Sequence, residues 1–215
     1  MRAITKGAEP ASLTAHRKTP HCDYDNYADK EALRQALVTE QRGLCCYCMG
    51  RIHNGRATMK IEHWRCQSRY PEEQLVYRNL LGACPGGGEK KPPHLQHCDT
   101  RKGDMDVRWN PADPAHHIET RLRYELDGNI RADDAGFDAE LEEVLNLNLP
   151  RLKNNRKGVL DAVLGWWRHE KRGGPVPRVR FERERDRCVA GAGEFEPFCQ
   201  VAVWWLERRL ARMPA

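Results

Sequence analysis

The N-terminal 28 residues carry no sustained period of apolar positions and are broken by Pro10 and Pro20, so an irregular arm is predicted there, one that packs late or onto a partner. Order begins at Asp29, an N-cap candidate ahead of Leu33, Ala36 and Leu37 on one helical face, with Gly43 placed to stop the helix at C′. Beyond Asn54-Gly55, apolar Ala57, Met59 and Ile61 alternate with polar neighbours and predict a half-buried strand over 57–63. Such a strand sends Glu62 and His63 to opposite sides, unless a bulge or the strand's end re-aims one of them. Cys84 opens a loop rich in glycine and proline that lasts to Pro93, and Asp99 to Gly103 suggests a short helix limited by Gly103.

The second half reads differently. Ile118, Thr120, Leu122, Tyr124 and Leu126 alternate with charged residues, and Asp127-Gly128 before Ile130 predicts a β-hairpin. From Asp138 the period turns helical through Leu141, Val144 and Leu145, then through Leu152, Val159, Leu160, Val163, Leu164 and Trp167 to a stop at Gly173-Gly174-Pro175. A final helix is expected from Pro197 at N1, carrying Phe198, Val201, Ala202, Trp205 and Leu206. The fold class expected is α+β: an arm over 1–28, a compact unit over 29–110, and a hairpin plus helical region over 111–215 that docks a partner.

Composition narrows the picture. A 215-residue chain has room for one good core or two small ones. A formal net charge of +5 permits a nucleic-acid partner without arguing for one. With 31% charged residues and no apolar run near the ~20 that a membrane helix needs, no membrane association is expected. The first residues carry no apolar signal-like stretch, so a cytoplasmic location is expected.

In a reducing compartment nine cysteines point to metal rather than disulfides. Cys45-x-x-Cys48 and the later Cys84 and Cys98 can hold a structural Zn²⁺ as a closed tetrahedral site. Cys22, Cys46, Cys66, Cys188 and Cys199 fall at no ligand-like spacing and are taken as core or incidental thiols. Glu62, His63 and Asp99 add two carboxylates and an imidazole, a set able to hold and use a catalytic Mg²⁺ or Mn²⁺. His94 and His97 stand as substitutes for Cys98 in the zinc site, and Asp104 and Asp106 as spare carboxylates.

Taken in order, Cys45-x-x-Cys48, Lys60-Ile61-Glu62-His63, Tyr77-Arg78-Asn79-Leu80-Leu81, Cys84 and His97-Cys98-Asp99-x-x-Lys102-Gly103 make the chain resemble the HNH (ββα-metal) endonucleases over roughly residues 43–103. Within that superfamily it looks most like the nuclease subunits of Septu-type and retron-associated anti-phage systems. The resemblance implies a zinc-stabilised ββα-metal unit that hydrolyses DNA phosphodiesters and an ATPase subunit as partner. It also implies His63 as general base, Glu62 and Asp99 as ligands of the catalytic divalent ion, Asn79 as steadying the active-site loop, and four cysteines on zinc. A neutral imidazole accepts a proton near pH 7, as such a base must. Arg101 and Lys102, next to Asp99, are placed to contact phosphates flanking the cut.

This chain has Asp99 where the family frequently has Asn or His, and a longer insertion between Cys84 and Cys98 than the compact pairs of simpler members. The rival reading is a non-catalytic zinc-binding module for protein or nucleic-acid contact, against which the retained Glu62, His63 and Asn79 speak. Trp166, Trp167, Trp204 and Trp205 are expected in the core or an interface, and the run Arg178, Arg180, Arg183, Arg185 and Arg187 on a solvated or partner-facing surface.

Overall fold

The computed structural model describes residues 1–214, a mixture of helices with two separate two-stranded sheets. Helix α1 (Ala11–His16) lies in the N-terminal segment, which is not a loose arm: Met1 and Leu13 are fully buried and the Ile4 amide donates to the Pro111 carbonyl. The segment rests on the chain's own core, because its few apolar side chains find a place there. That core is one continuous cluster of buried side chains reaching from Met1 to Leu210.

Helix α2 (Lys30–Glu40) starts as its sequence predicts, with the Asp29 carboxylate accepting from the Ala32 amide at 3.2 Å, and it buries Leu33, Leu37 and Val38. Its end differs by one residue. Arg42, at φ +50°, occupies the left-handed C′ position; its amide donates to the Thr39 carbonyl and the Gly43 amide to the Val38 carbonyl, which places Gly43 at C″ of a Schellman turn. Buried Gln41 then ties this end to the first sheet. Its amide nitrogen donates to the carbonyls of Leu44 and Gly82, and its oxygen accepts from the Gly82 amide. At Gly82 a Cβ would stand 2.9 Å from the tip of the Ile52 side chain and 3.2 Å from that of Met59, so any larger residue requires these side chains to move.

The first sheet pairs β1 (Lys60–His63) antiparallel with β2 (Leu80–Ala83), with Glu62 opposite Leu81 and His63 opposite Leu80. The strand is shorter than the alternation over 57–63 suggests, because the Thr58 and Met59 amides are taken by the Gly55 carbonyl in a turn. Helix α3 (Cys98–Lys102) follows the long loop and ends at Gly103, at φ +51°. Two antiparallel strands and a helix thus surround one region. The second sheet, β3 (Leu122–Tyr124) with β4 (Ile130–Ala132), is the expected hairpin, although Ile118–Arg121 is a 3-10 turn rather than strand.

Among the helices, α4 (Ala135–Ala139) begins three residues before the expected start, capped by the Asp134 carboxylate, which accepts from the Phe137 amide, and it runs into a π-helical turn over Glu140–Val144. Helix α5 (Pro150–Glu170) buries Leu152, Arg156, Leu160 and Val163 along one face. The arginine-rich run forms α6 (Arg178–Cys188), a helix the periodicity hides because only Phe181 is buried on it. Helix α7 (Cys199–Leu210) starts two residues later than expected, since Phe198 is left-handed at φ +62° and leaves Pro197 outside. The tryptophans pack here, with Trp167 against Trp205 at 5.8 Å between ring centroids. Among the described residues no helix is long and apolar enough to cross a membrane.

Arg156 is almost fully buried, and its guanidinium donates to the Gly128 carbonyl at the hairpin turn, to the Leu147 carbonyl and to the Asn148 side chain. Arg156→Leu strands those acceptors without donors and is expected to cost about 3 kcal/mol in urea melts. A cost below about 0.5 kcal/mol would show that the hairpin is held otherwise.

Candidate metal centre and acid-base cavity

Four sulfur atoms converge from three segments. Cys45 and Cys48 come from the knuckle after α2, Cys84 from the end of β2, and Cys98 from the first turn of α3, and all four lie within 4.8 Å of one another. The Cys45 to Cys98 separation is 3.8 Å and the Cys48 to Cys84 separation 3.7 Å. A tetrahedron with Zn–S bonds of ~2.3 Å has edges of ~3.8 Å, so the donor set and its spacing fit a zinc-type ion. Amide donors reinforce the fit: the Cys84 amide donates to the Cys45 sulfur and the Gly50 amide to the Cys48 sulfur, both at 3.3 Å. Burial opposes ionisation of Cys45, but hydrogen bonds from Cys46, Cys48, Cys84 and Cys98 outweigh it, and this thiol ionises well below its ordinary range.

Cys98 rather than a histidine completes the set. His94 is exposed. His97 is buried, but both ring nitrogens are engaged: an Arg151 guanidinium nitrogen donates to Nε2 at 2.7 Å, which leaves the proton on Nδ1, 3.2 Å from the Cys98 sulfur. His97 is thus a hydrogen-bond donor to a ligand, oriented from behind by Arg151.

Along β1 lies a polar cavity of about 310 Å³ walled by Lys60, Glu62, His63, Cys66, Asp99 and Asp104, among others. A larger cavity, about 750 Å³, lies against Cys48 and Cys84 and contains none of these acid-base groups. Glu62 is almost fully buried; the Tyr47 hydroxyl donates to its Oε1 at 2.7 Å, and the Lys102 ammonium lies 2.9 Å from the same oxygen. Burial, and then the Asp99 carboxyl beside it, hold the Glu62 carboxyl well above the ordinary carboxylate range, with Lys102 pulling the other way. A carboxyl whose ionisation is opposed by a neighbouring carboxyl offers, with that neighbour, a ready seat for a hard cation.

His63 ends β1 and is also buried. Its Nε2 lies 3.0 Å from the Gln74 carbonyl, which can only accept, so Nε2 carries the proton and Nδ1 keeps its lone pair. The Tyr24 ring stands edge-on to the imidazole at 4.5 Å. Burial is the main cause that lowers the His63 pKa to about 4. The imidazole is therefore neutral near pH 7. Asn79 closes the turn after β1, accepting from the Arg65 amide and donating to the Arg65 and Glu73 carbonyls.

Two residues expected to contact phosphate are placed otherwise. Lys102 is 1% exposed and its ammonium is spent on Glu62 and on the His63 carbonyl, so it serves the site from within and meets no solvent-borne phosphate. Arg101 is half-buried and turns toward the Pro93 carbonyl rather than the cavity. Of the spare carboxylates, Asp104 lines the cavity, and Asp106 is held by Arg69 and Tyr70. Tyr47 and Lys60 escaped the sequence reading. Lys60, 3.3 Å from Asp99, shares its strand face with Glu62 two residues on, a signal that alternation alone carries; Tyr47 sits inside the cysteine knuckle, where nothing in the pattern marks it.

No family model matches the chain. A curated relative, the Septu protein PtuB of Bacillus thuringiensis, is 26% identical over 96 residues, which cover 42% of this chain and 33% of the relative. The chain thus matches about a third of that protein's length.

The purified protein is expected to hold about one zinc per chain, lost in Cys98→Ser and kept in His94→Ala. His97→Ala, which removes a donor to a ligand sulfur, should weaken zinc affinity about 10- to 100-fold in a chelator competition. Full retention of affinity would show that His97 is packing only. The depressed His63 pKa has a second consequence. A buried neutral histidine destabilises the fold as pH falls below its unfolded value near ~6.5 and stops doing so below about 4. His63→Gln should therefore flatten the fall in thermal stability across that window, read by melting at pH 7, 5.5 and 4.5.

Proposed function

We propose that the chain is a divalent-metal-dependent endonuclease that hydrolyses DNA phosphodiesters within an anti-phage defence complex. The observation that carries this reading is one cavity holding an acid pair, buried Glu62 with part-exposed Asp99, beside a neutral histidine whose Nδ1 keeps its lone pair. The four-cysteine cluster, together with the strand, strand and helix it ties, supports a zinc-clipped ββα-metal arrangement within residues 29–110. The distant likeness to a Septu protein supports the defence setting. The partner on this reading is an ATPase subunit, docked by the helical region over 111–215.

In this mechanism the Nδ1 atom of His63 takes a proton from a water molecule, whose oxygen attacks phosphorus while the bond to the leaving sugar oxygen breaks. The Gln74 carbonyl fixes the imidazole's tautomer, and Asn79 fixes the turn that presents it. Glu62 and Asp99 would hold a Mg²⁺ or Mn²⁺ ion, whose charge would offset that on the scissile phosphate and leaving oxygen. Phosphate contacts fall to cavity-facing Lys60 rather than Lys102, whose ammonium is buried.

The test is nicking of supercoiled plasmid by the purified zinc-loaded chain with its genomically neighbouring ATPase, in Mg²⁺ or Mn²⁺. His63→Ala is expected to lower the rate about 10²- to 10⁴-fold at unchanged zinc content. Equal cutting by His63→Ala overturns the assignment, and absence of cutting on duplex DNA, single-stranded DNA and RNA alike moves the chain to a non-catalytic zinc module.

A further inference from the structure

The two oxygens of Glu62 are not equivalent. Oε1 receives the Tyr47 hydroxyl and the Lys102 ammonium, whereas among the described residues no hydroxyl, amide or ammonium donor is paired with Oε2, and the Asp99 carboxyl lies beside the group. All three side chains are almost fully buried, so solvent does not compete for Oε1 and the carboxylate has one orientation. Both donors belong to segments that the sulfur cluster pins: Tyr47 lies between Cys45 and Cys48, and Lys102 is one turn after Cys98.

We infer that Tyr47 and Lys102 are positioning residues that hold Glu62 through Oε1 so that Oε2 alone is offered, from one side, to a hard divalent cation shared with Asp99. A carboxylate gripped in this manner cannot rotate into a bidentate pose, and monodentate oxygen at short range is what a small octahedral ion of the Mg²⁺ or Mn²⁺ type needs. The knuckle tyrosine thereby acquires a role distinct from packing: it carries the rigidity of the cysteine cluster into the cation site. This inference rests on the cation-site reading proposed above.

Direct Mn²⁺ binding to the full-length zinc-loaded chain, followed by electron paramagnetic resonance, tests it without recourse to activity. Wild type is expected to bind one Mn²⁺ in the cavity and Glu62→Gln to lose it. Tyr47→Phe, which removes one oxygen atom and keeps the ring, should weaken Mn²⁺ about 10-fold, with zinc content and melting cooperativity unchanged. Lys102→Met separates position from charge. Loss of an ammonium beside a cation site tightens Mn²⁺ on charge alone, so weaker binding supports positioning and tighter binding overturns it for Lys102. Glu62-dependent binding that Tyr47→Phe leaves unchanged overturns the proposal while the cation site stands. Absence of Glu62-dependent binding in wild type overturns the cation site and the proposal together.

Discussion

The convergence of four cysteine sulfurs is the constraint on which the rest of this structure depends. The knuckle, the end of β2 and the start of α3 are short and irregular, and none would hold its place by secondary structure alone. Helix α3 has five residues, far below the length at which a helix is stable by itself. Sulfur atoms 3.7 to 3.8 Å apart, at the spacing a tetrahedral zinc-type ion would require and supported by amide donors, bring all three segments to one point. Buried Gln41 adds a second tie, joining the end of α2 to both the knuckle and β2.

From that point the acid-base cavity is built outward. β1 leans on β2, and its last two residues are the carboxylate and the imidazole; α3 brings Asp99 and, one turn later, Lys102 underneath them. A buried ammonium on a buried carboxylate adds little net stability, because desolvation consumes most of the attraction. What the pair contributes is a defined orientation and charge for Glu62. The environment separates the roles of the two neighbours: Glu62 is pushed up by burial and Asp99, whereas His63 is pushed down by burial to about 4. One group is thereby suited to share a cation and the other to accept a proton.

The helical half backs the sulfur cluster. Arg151, in the first turn of α5, reaches His97 behind the sulfur cluster, and Arg156, further along the same helix, anchors the β3–β4 turn. Gly128 makes that close approach possible: it sits at φ +88°, and a Cβ there would lie 2.1 Å from the Lys153 carbonyl oxygen. The C-terminal helices and the N-terminal segment close on one shared core, so the stretches that composition separates are physically continuous.

The sequence by itself determined the features set by local chemistry: the Asp29 cap and amphipathic face of α2, the alternation of β1, the Gly103 stop and the Asp127-Gly128 turn. It also picked out by spacing the four cysteines that the fold brings together, and marked Glu62, His63, Asn79 and Asp99 as candidates by residue type and order. Helix α6 stayed hidden because a helix with one buried residue has no apolar period, and the N-terminal arm looked loose because its buried residues are few and scattered. Lys102 was read as a phosphate contact because its charge is visible in the sequence and its burial is not. Only the tertiary structure decided that Lys102 and Tyr47 meet on one oxygen of Glu62, that His97 points a proton at Cys98, and that the Gln74 carbonyl sets the tautomer of His63. Each of those depends on where a side chain's partner comes to rest from a distant segment, and residue order alone carries no such distance.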